Sequence, residues 1–192
     1  MINTQVDEKV LIKAVKSDDA LAYKEICSVY YDPLYRFLWR KTRNAEISKD
    51  LIQDLFINVW KLRRQLDETK SFKAYLYKSA NNLAVNHLKQ KVMKQNYLGD
   101  HNLDEVISKD IDPNELSEYI DDVLQGIPDA QCTVFILNKF EGFKYAEIAE
   151  IMQISVKTVE SRMSKILKTL REKLAPLLIL AILLFYQMGR VF

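Results

Sequence analysis

The sequence predicts an all-α protein of two small helical domains, a helical bundle and then a helix-turn-helix unit, joined by an acidic linker. Three observations predict this. Just under half of the 192 residues are apolar, and only four are glycine, too few for the Gly-rich turns of a β-sandwich. The apolar residues recur every three or four positions, the period of a helix with one buried face. The charge, +2 overall, is segregated. Residues 1–95 carry 18 Lys and Arg against 11 Asp and Glu, a net of +7; residues 96–126 carry 1 against 9, a net of −8; residues 127–192 carry 9 against 6, a net of +3. Two basic blocks held apart by an acidic strip point to a polyanionic partner, although a solvated linker is acidic too.

The first domain, residues 1–95, opens its periodic pattern after Asp18 with Leu21, Ile26, Val29 and Tyr30, then Leu34, Phe37 and Leu38. Pro33 lacks an N–H and disfavours helix at Asp32, so two helices with a break are expected, the second ending at Asn44. A third helix is expected over residues 46–64, with Leu51, Leu55, Val59 and Leu62 as its buried stripe. Asp50, Gln53, Asp54 and Asn58 share another face of it, and Phe56 and Trp60 stand four apart beside them. Such a face is either solvated, next to extra core aromatics, or a docking surface with an aromatic anchor and a polar rim.

Ser71 is the expected N-cap of a fourth helix that starts at Phe72 and ends near Met93. Phe72, Leu76, Leu83 and Leu88 need a core. The other face carries Lys78, Asn82, Asn86 and Lys89, with Tyr75 and Tyr77 interleaved. Cations neutralise phosphates, amides read base edges, and aromatic rings stack on unpaired bases. A charged helix face is usually only solvated, but the adjacent Asn81 and Asn82 are poor helix formers and favour a binding role.

Residues 96–113 lose the periodicity and gather Asp100, Asp104, Glu105, Asp110 and Asp112, which marks a linker. Asp112-Pro113 then reads as a cap followed by a first-turn proline, and opens the second domain, residues 114–175. One helix is expected over residues 115–125, stopped by Gly126; the next opens at Pro128-Asp129 and carries Val134, Phe135, Leu137 and Phe140. The strongest signal follows. Lys144-Tyr-Ala-Glu-Ile-Ala-Glu-Ile-Met152 is a short helix, Gln153-Ile154-Ser155 a tight turn, and Val156 begins a long helix. Ala149 is small enough for two helices to cross closely, Ile154 plugs the corner and Ser155 caps the next helix. Val156, Val159, Met163, Ile166 and Leu170 form the expected buried stripe. Lys157, Thr158, Glu160, Ser161, Ser164, Lys165 and Lys168 are left outside, as in a recognition helix that enters a major groove.

The last residues, 176–192, begin with Pro176 and run Leu177-Leu-Ile-Leu-Ala-Ile-Leu-Leu-Phe-Tyr186. That apolar run is about half of what a bilayer span needs, so it reads as a helix buried on the second domain or in a partner, with at most weak or indirect membrane contact. Cys27 and Cys132 are far apart and share no ligand spacing with His87 or His101, so both are expected to be small buried apolar residues and no metal is expected. No secretory signal opens the sequence, and a reducing cytoplasm is expected. Two histidines, no Gly-rich phosphate loop and no paired acids leave nothing from which to build an enzyme, and no cofactor is expected.

On these residues both blocks resemble bacterial RNA polymerase sigma factors, specifically the compact extracytoplasmic-function group, which keeps only the family's second and fourth conserved domains. The likeness spans about residues 20–94 and 115–174. Asp50-Leu-Ile-Gln-Asp-Leu-Phe-Ile-Asn-Val-Trp60 is similar to the family's helix that docks on the clamp helices of the polymerase β′ subunit. The resemblance implies core-polymerase contacts at Asp50, Gln53, Asp54, Phe56, Asn58 and Trp60. It implies capture of flipped minus-ten bases by the stretch from Lys61 to Lys91: Arg63, Arg64, Lys73, Tyr75, Lys78, Asn82, Asn86, His87, Lys89 and Lys91. Phe135, Gly142, Glu147-Ile-Ala149, Thr158-Val159 and Ser161-Arg162 match the family's helix-turn-helix. Minus-thirty-five contacts are thereby implied at Lys144, Ser155, Lys157, Thr158, Glu160, Ser161, Arg162, Ser164, Lys165 and Lys168, with the β flap as that domain's polymerase contact.

The sequence departs from the family pattern in four places. Tyr75 stands for the usual Trp, Asn86 for the usual Asp, Lys89 for a frequent Arg, and Glu160 where a basic residue is common. An amide in place of a carboxylate changes which base donors can be read, so another member's promoter sequence does not transfer. The implied partners are core RNA polymerase, promoter DNA and an anti-sigma protein. A helix-turn-helix regulator joined to an unrelated sensor explains the second block but not the Gln53-Phe56-Trp60 face. An anti-sigma or adaptor protein needs neither Asn82, Asn86 nor the basic face.

Overall fold

In a computed structural model the described residues are 8–98 and 126–188, and they are helical with no strand among them. The chain divides into two compact units, the first built on residues up to Asp110 and the second on most of those from Ile111 onward. The acidic linker residues Asp100 to Asp112 and the helix expected over 115–125 lie outside the described residues.

The first unit begins with α1 (Glu8–Lys16), an element the periodic pattern had not yielded. Its Ile12 and Val15, three apart, are buried. The Tyr30 hydroxyl donates to the Glu8 carboxylate and Lys16 Nζ donates to the Leu66 carbonyl at 2.9 Å, tying this helix at both of its ends to later parts of the unit. Asp19 caps α2 (Ala20–Thr42), its Oδ1 accepting from the N–H groups of Leu21 and Ala22 at 2.8 and 3.1 Å. The helix runs unbroken through Pro33, against the expected break. Proline removes the bond to the carbonyl four residues back; that residue, Val29, is 54% exposed, so water can take the freed acceptor. Ile26 before the proline and Leu34, Phe37 and Leu38 after it are buried, and this packing on both sides carries the helix across.

Arg43, at φ +51°, ends α2 in the left-handed conformation and returns its N–H to the Trp39 carbonyl at 2.8 Å. Asn44 therefore does not close α2 but caps α3 (Ala45–Lys61), accepting from Ile47 N at 3.0 Å. Leu51, Ile52, Leu55, Phe56 and Val59 face the core. Leu62 does not: it lies past the helix end, before a 3-10 turn (Arg63–Gln65), and is 43% exposed. Ser71 caps α4 (Phe72–Leu98) as expected, accepting from Ala74 N at 3.1 Å, and α4 runs five residues beyond Met93.

The described part of the second unit starts at Gly126, whose φ of +78° is where glycine escapes the Cβ penalty. Then comes α5 (Asp129–Lys139), which buries Thr133, Val134, Ile136 and Leu137. Phe135 is only half-buried and Phe140, past the helix end, is exposed. The turn at Gly142 (φ +76°) brings buried Phe143 under α5, and Asn138 Nδ2 donates to its carbonyl at 2.9 Å. Next are α6 (Tyr145–Met152) and α7 (Val156–Met188). Helix α7 continues through Pro176 into the apolar tail, where the side chains lie outside the described residues. Its buried stripe is Val159, Met163, Ile166 and Leu170; Val156, in the first turn, is 42% exposed and does not join it.

Candidate nucleic-acid and partner interfaces

Helix α3 divides its surface cleanly. Opposite its core face, Asp50, Gln53, Asp54 and Asn58 are all exposed, as expected from their spacing. Ile57, 49% exposed, stands among them, and the sequence reading missed it although it shares their period. An aliphatic side chain in a polar ring is the composition of an interface anchor. Phe56, expected as an aromatic anchor, is instead buried in the bundle, because its position falls on the Ile52 and Val59 side of the helix.

Trp60 is half-buried and held from two directions. Its ring lies 4.8 Å from that of Tyr23, and the Arg63 guanidinium sits over it at 4.2 Å. Tyr23 donates its hydroxyl to the Phe56 carbonyl. Burial, then the neighbouring Cys27, pushes the Tyr23 phenol far above its usual range, so it remains a donor. Cys27 is half-buried, as is Cys132, where both were expected to be buried. Burial raises the Cys27 thiol, the opposite of a reactive thiolate.

Arg63 and Arg64 do not simply project towards solvent. Both bond the carboxylate of Asp18, and Arg63 also donates to the Trp60 carbonyl at 2.7 Å. The bonds from Arg64 and then Arg63 hold the Asp18 carboxyl below its usual range. This latch fixes the 3-10 turn to the turn between α1 and α2, where Asp18 itself adopts φ +70°. Lys16 adds an ion pair to Glu68 at 3.0 Å.

Among the described side chains of α4 the exposed positions are Asn82, Asn86, Lys89, Gln90 and Met93, a single stripe at three- and four-residue spacing. Lys78 and His87 are half-buried on its margins. Tyr75, also half-buried, stacks on Phe72 with ring centroids 6.0 Å apart. Lys73 lies over the Tyr77 ring at 5.8 Å. The side chain of Lys91 lies outside the described residues. Tyr77, read as part of the outer face, is wholly buried and meets Phe37 edge to face at 5.2 Å. The core face of α4 is in fact Phe72, Leu76, Tyr77, Ala80, Asn81 and Ala84, while Leu83 and Leu88 are only half-buried.

In the second unit, Glu147 of α6 reaches back to accept the Lys144 N–H at 2.7 Å. Gln153 takes φ +55° in the turn, and the Ile154 N–H returns to the Ala149 carbonyl at 3.0 Å. Ser155 Oγ then accepts from Thr158 N at 3.1 Å and lies 2.8 Å from Thr158 Oγ1, so its role here is to cap α7. Lys157, Glu160, Ser161, Ser164, Lys165 and Lys168 are exposed on one face; Thr158 and Arg162 are half-buried at its edge. Lys144 is exposed at the start of α6. Such a capped helix-turn-helix presents cations and hydroxyls along a helix of groove-fitting width. Among the described residues no group of His, Cys, Asp and Glu could hold a metal ion.

Among the described residues the chain is helical, with an exposed polar stripe in one unit and a capped helix-turn-helix in the other. Comparison with known families agrees. Residues 27–92 match the model of sigma-70 region 2, and residues 117–170 that of sigma-70 region 4. The extracytoplasmic-function sigma factor SigW of Bacillus subtilis is 28% identical, over 88% of this chain and 97% of that protein. The sigma-H factor of Pseudomonas aeruginosa is 26% identical, over 91% and 97%. The fold matches the Bartonella quintana sigma factor RpoE, solved in complex with the anti-sigma factor NepR, at a TM-score of 0.67 and 22% identity over 80% of this chain and 96% of that one. It also matches CnrH, solved with the cytosolic domain of CnrY, at a TM-score of 0.66 and 16% identity over 88% and 97%. The chain belongs to the sigma-70 family of RNA polymerase sigma factors, in its extracytoplasmic-function group. Among the described residues no helix is long and apolar enough to cross a membrane.

Proposed function

We propose that this sigma factor docks on the clamp helices of the β′ subunit through the exposed α3 stripe of Asp50, Gln53, Asp54, Ile57 and Asn58. Trp60 props that stripe from below. The first domain, residues 1–95, then captures unpaired minus-ten bases on the Asn82, Asn86 and Lys89 stripe of α4, with Lys73, Tyr75, Lys78 and His87 around it. Unstacking costs a few kcal/mol per base, so only sequences that recover this in the pocket are opened. The second domain, residues 114–175, lays α7 in the minus-thirty-five major groove. Lys157, Lys165 and Lys168 meet phosphates there and set the register. Glu160 works against phosphate contact and narrows which bases that helix accepts. The 96–113 linker joins the domains across the polymerase. The chain acts in the cytoplasm and does no chemistry of its own.

The observation that carries this reading is the union, in one chain, of an α3 stripe with an aliphatic centre and a capped recognition helix. An inhibitory anti-sigma partner is part of the proposal, supported by the Bartonella relative solved with one. The decisive experiment combines purified core polymerase of the host, this protein and fragmented host DNA, with sequencing of RNA 5′ ends. Discrete start sites are expected, absent without the protein and lost in a Gln53→Ala/Ile57→Asp variant. If core polymerase stays silent until the housekeeping sigma factor is added, the protein is a regulator or adaptor instead.

A further inference from the structure

Helix α2 carries a second feature that neither its core packing nor the surfaces above use. Tyr31, Tyr35 and Trp39 are spaced four apart and Arg43 follows at the same interval. The core residues of this helix, Ile26, Leu34, Phe37 and Leu38, occupy a different side. The rings of Tyr31 and Tyr35 are almost parallel, 2° apart in tilt, with centroids separated by 6.2 Å. The Arg43 guanidinium lies 4.9 Å from the Trp39 ring. Tyr31 is 39% exposed, and Tyr35, Trp39 and Arg43 are half-buried. Arg36 is exposed and Arg40 half-buried along the same segment, against Asp32 as its single acid.

We propose that this aromatic and arginine ladder on α2 is a binding track for single-stranded DNA, separate from the α4 stripe. Its chemistry needs both halves of a nucleotide. Arginines neutralise phosphates, while flat rings stack on any base and so tolerate any sequence. Arg and an aromatic ring in contact, as at Arg43 and Trp39, also form the cation–π pair common in such channels. The spacing selects the strand. Successive bases in a duplex are about 3.4 Å apart along each strand, whereas the Tyr31 and Tyr35 rings are 6.2 Å apart. A duplex also hides its base faces. An unstacked strand can place a base against each ring, and a melted promoter supplies such a strand. An acidic protein segment would pair with the arginines but gain nothing from parallel rings.

The protein has two tryptophans, Trp39 and Trp60, so Trp60→Phe leaves Trp39 as the sole fluorophore, on the proposed track. Full-length Trp60→Phe protein is titrated with a fluorescein-labelled oligothymidylate and with a duplex of equal length, following Trp39 emission and label anisotropy. Saturable quenching by the single strand is expected, with at most weak quenching by the duplex. In that background Tyr31→Ala/Tyr35→Ala should weaken binding by about tenfold, and Arg36→Gln by a smaller factor that shrinks with salt. Helical content by circular dichroism identifies a misfolded double variant, and Tyr31→Leu/Tyr35→Leu, which keeps apolar bulk, then replaces it with the same expected loss. Asn82→Ala/Asn86→Ala should leave the Trp39 quenching in place, which separates this track from the minus-ten stripe. Absent quenching, equal quenching by duplex, or unchanged affinity in the Tyr31/Tyr35 variants would overturn the proposal. So would a Trp39 response to core polymerase alone that oligothymidylate cannot compete, since the ladder would then be a protein contact. None of these results touches the start-site experiment.

Discussion

Tyr77 separates a folding role from a binding role most sharply. From its sequence position it reads as a base-stacking ring; in the structure it is completely buried against Phe37. An aromatic side chain of this kind buries about 150–250 Å², which at about 25 cal/mol per Å² is at most about 4–6 kcal/mol. Aromatic-to-alanine changes in cores cost about 3–5 kcal/mol once the surroundings relax, so Tyr77→Ala should cost about 4 kcal/mol. With a urea slope of about 1.5 kcal/mol per molar, typical of a domain of this size, the midpoint should fall by about 2.5 M. Tyr77→Phe keeps the ring and should lose about 1 kcal/mol. Trp39 and Trp60 both lie in α2 and α3, so tryptophan fluorescence of the intact chain reports the first unit alone. A Tyr77→Ala protein that keeps its urea midpoint within about 0.5 M while losing affinity for unpaired DNA would refute the packing argument and restore the stacking role.

Three further outcomes can be measured, the first two from single contacts. Asp18 is held below its ordinary value near 3.8 by Arg64 and Arg63, so its unfolded form binds a proton more readily than the folded one. Its contribution is present above the ordinary carboxylate value near 3.8 and fades as pH falls through the depressed folded value; the stability gap between wild type and Asp18→Asn should therefore close as pH is lowered below that ordinary value in fluorescence-monitored urea titrations. Ser155→Ala removes the cap of α7 and should cost the second unit about 1 kcal/mol, with Ser155→Asp restoring most of it, measured by amide hydrogen exchange in α6 and α7. We propose that the acidic strip screens the basic faces of the free protein; replacing Asp100, Asp104, Glu105, Asp110 and Asp112 by their amides should then raise its affinity for duplex DNA severalfold at low salt, and unchanged anisotropy titrations would discard that screening role.

Much of this fold was legible because its caps and stripes are local. Ser71, Ser155 and the turn at Gln153 announce themselves by residue type within three or four positions of the helix they start. The exposed α3 face followed from spacing alone. Tertiary packing hid the rest. Pro33 marks a break only if the freed carbonyl is stranded and nothing holds the two halves in line; the burial of Ile26, Leu34, Phe37 and Leu38 decides otherwise. On α4 the core face includes Asn81 and two alanines, so apolar periodicity shifts the inferred face and turns Tyr77 outward. Arg63 and Arg64 looked like free cations because their partner, Asp18, is 45 and 46 residues away. Phe56 and Ile57 exchanged roles because neighbours on a helix differ by about 100° and the larger side chain looked the better anchor.

The latch around Asp18 changes what the candidate sites have in common. The turn that holds it lies between α1 and α2, and its two arginines sit in the segment that leaves α3 and leads into α4. Lys16 grips the same segment through the Leu66 carbonyl and the Glu68 carboxylate. Arg63, while paired with Asp18, also covers Trp60 at the end of α3 and donates to its carbonyl. The end of α3 and the approach to α4 are thus braced by one set of contacts. Ordering a long side chain at an interface costs about 0.5–1.5 kcal/mol, and groups already held by such contacts avoid much of that cost on binding. The N-terminal helix α1 therefore belongs to the same brace: it and the turn that follows it hold the segment between α3 and α4 through Lys16 and Asp18.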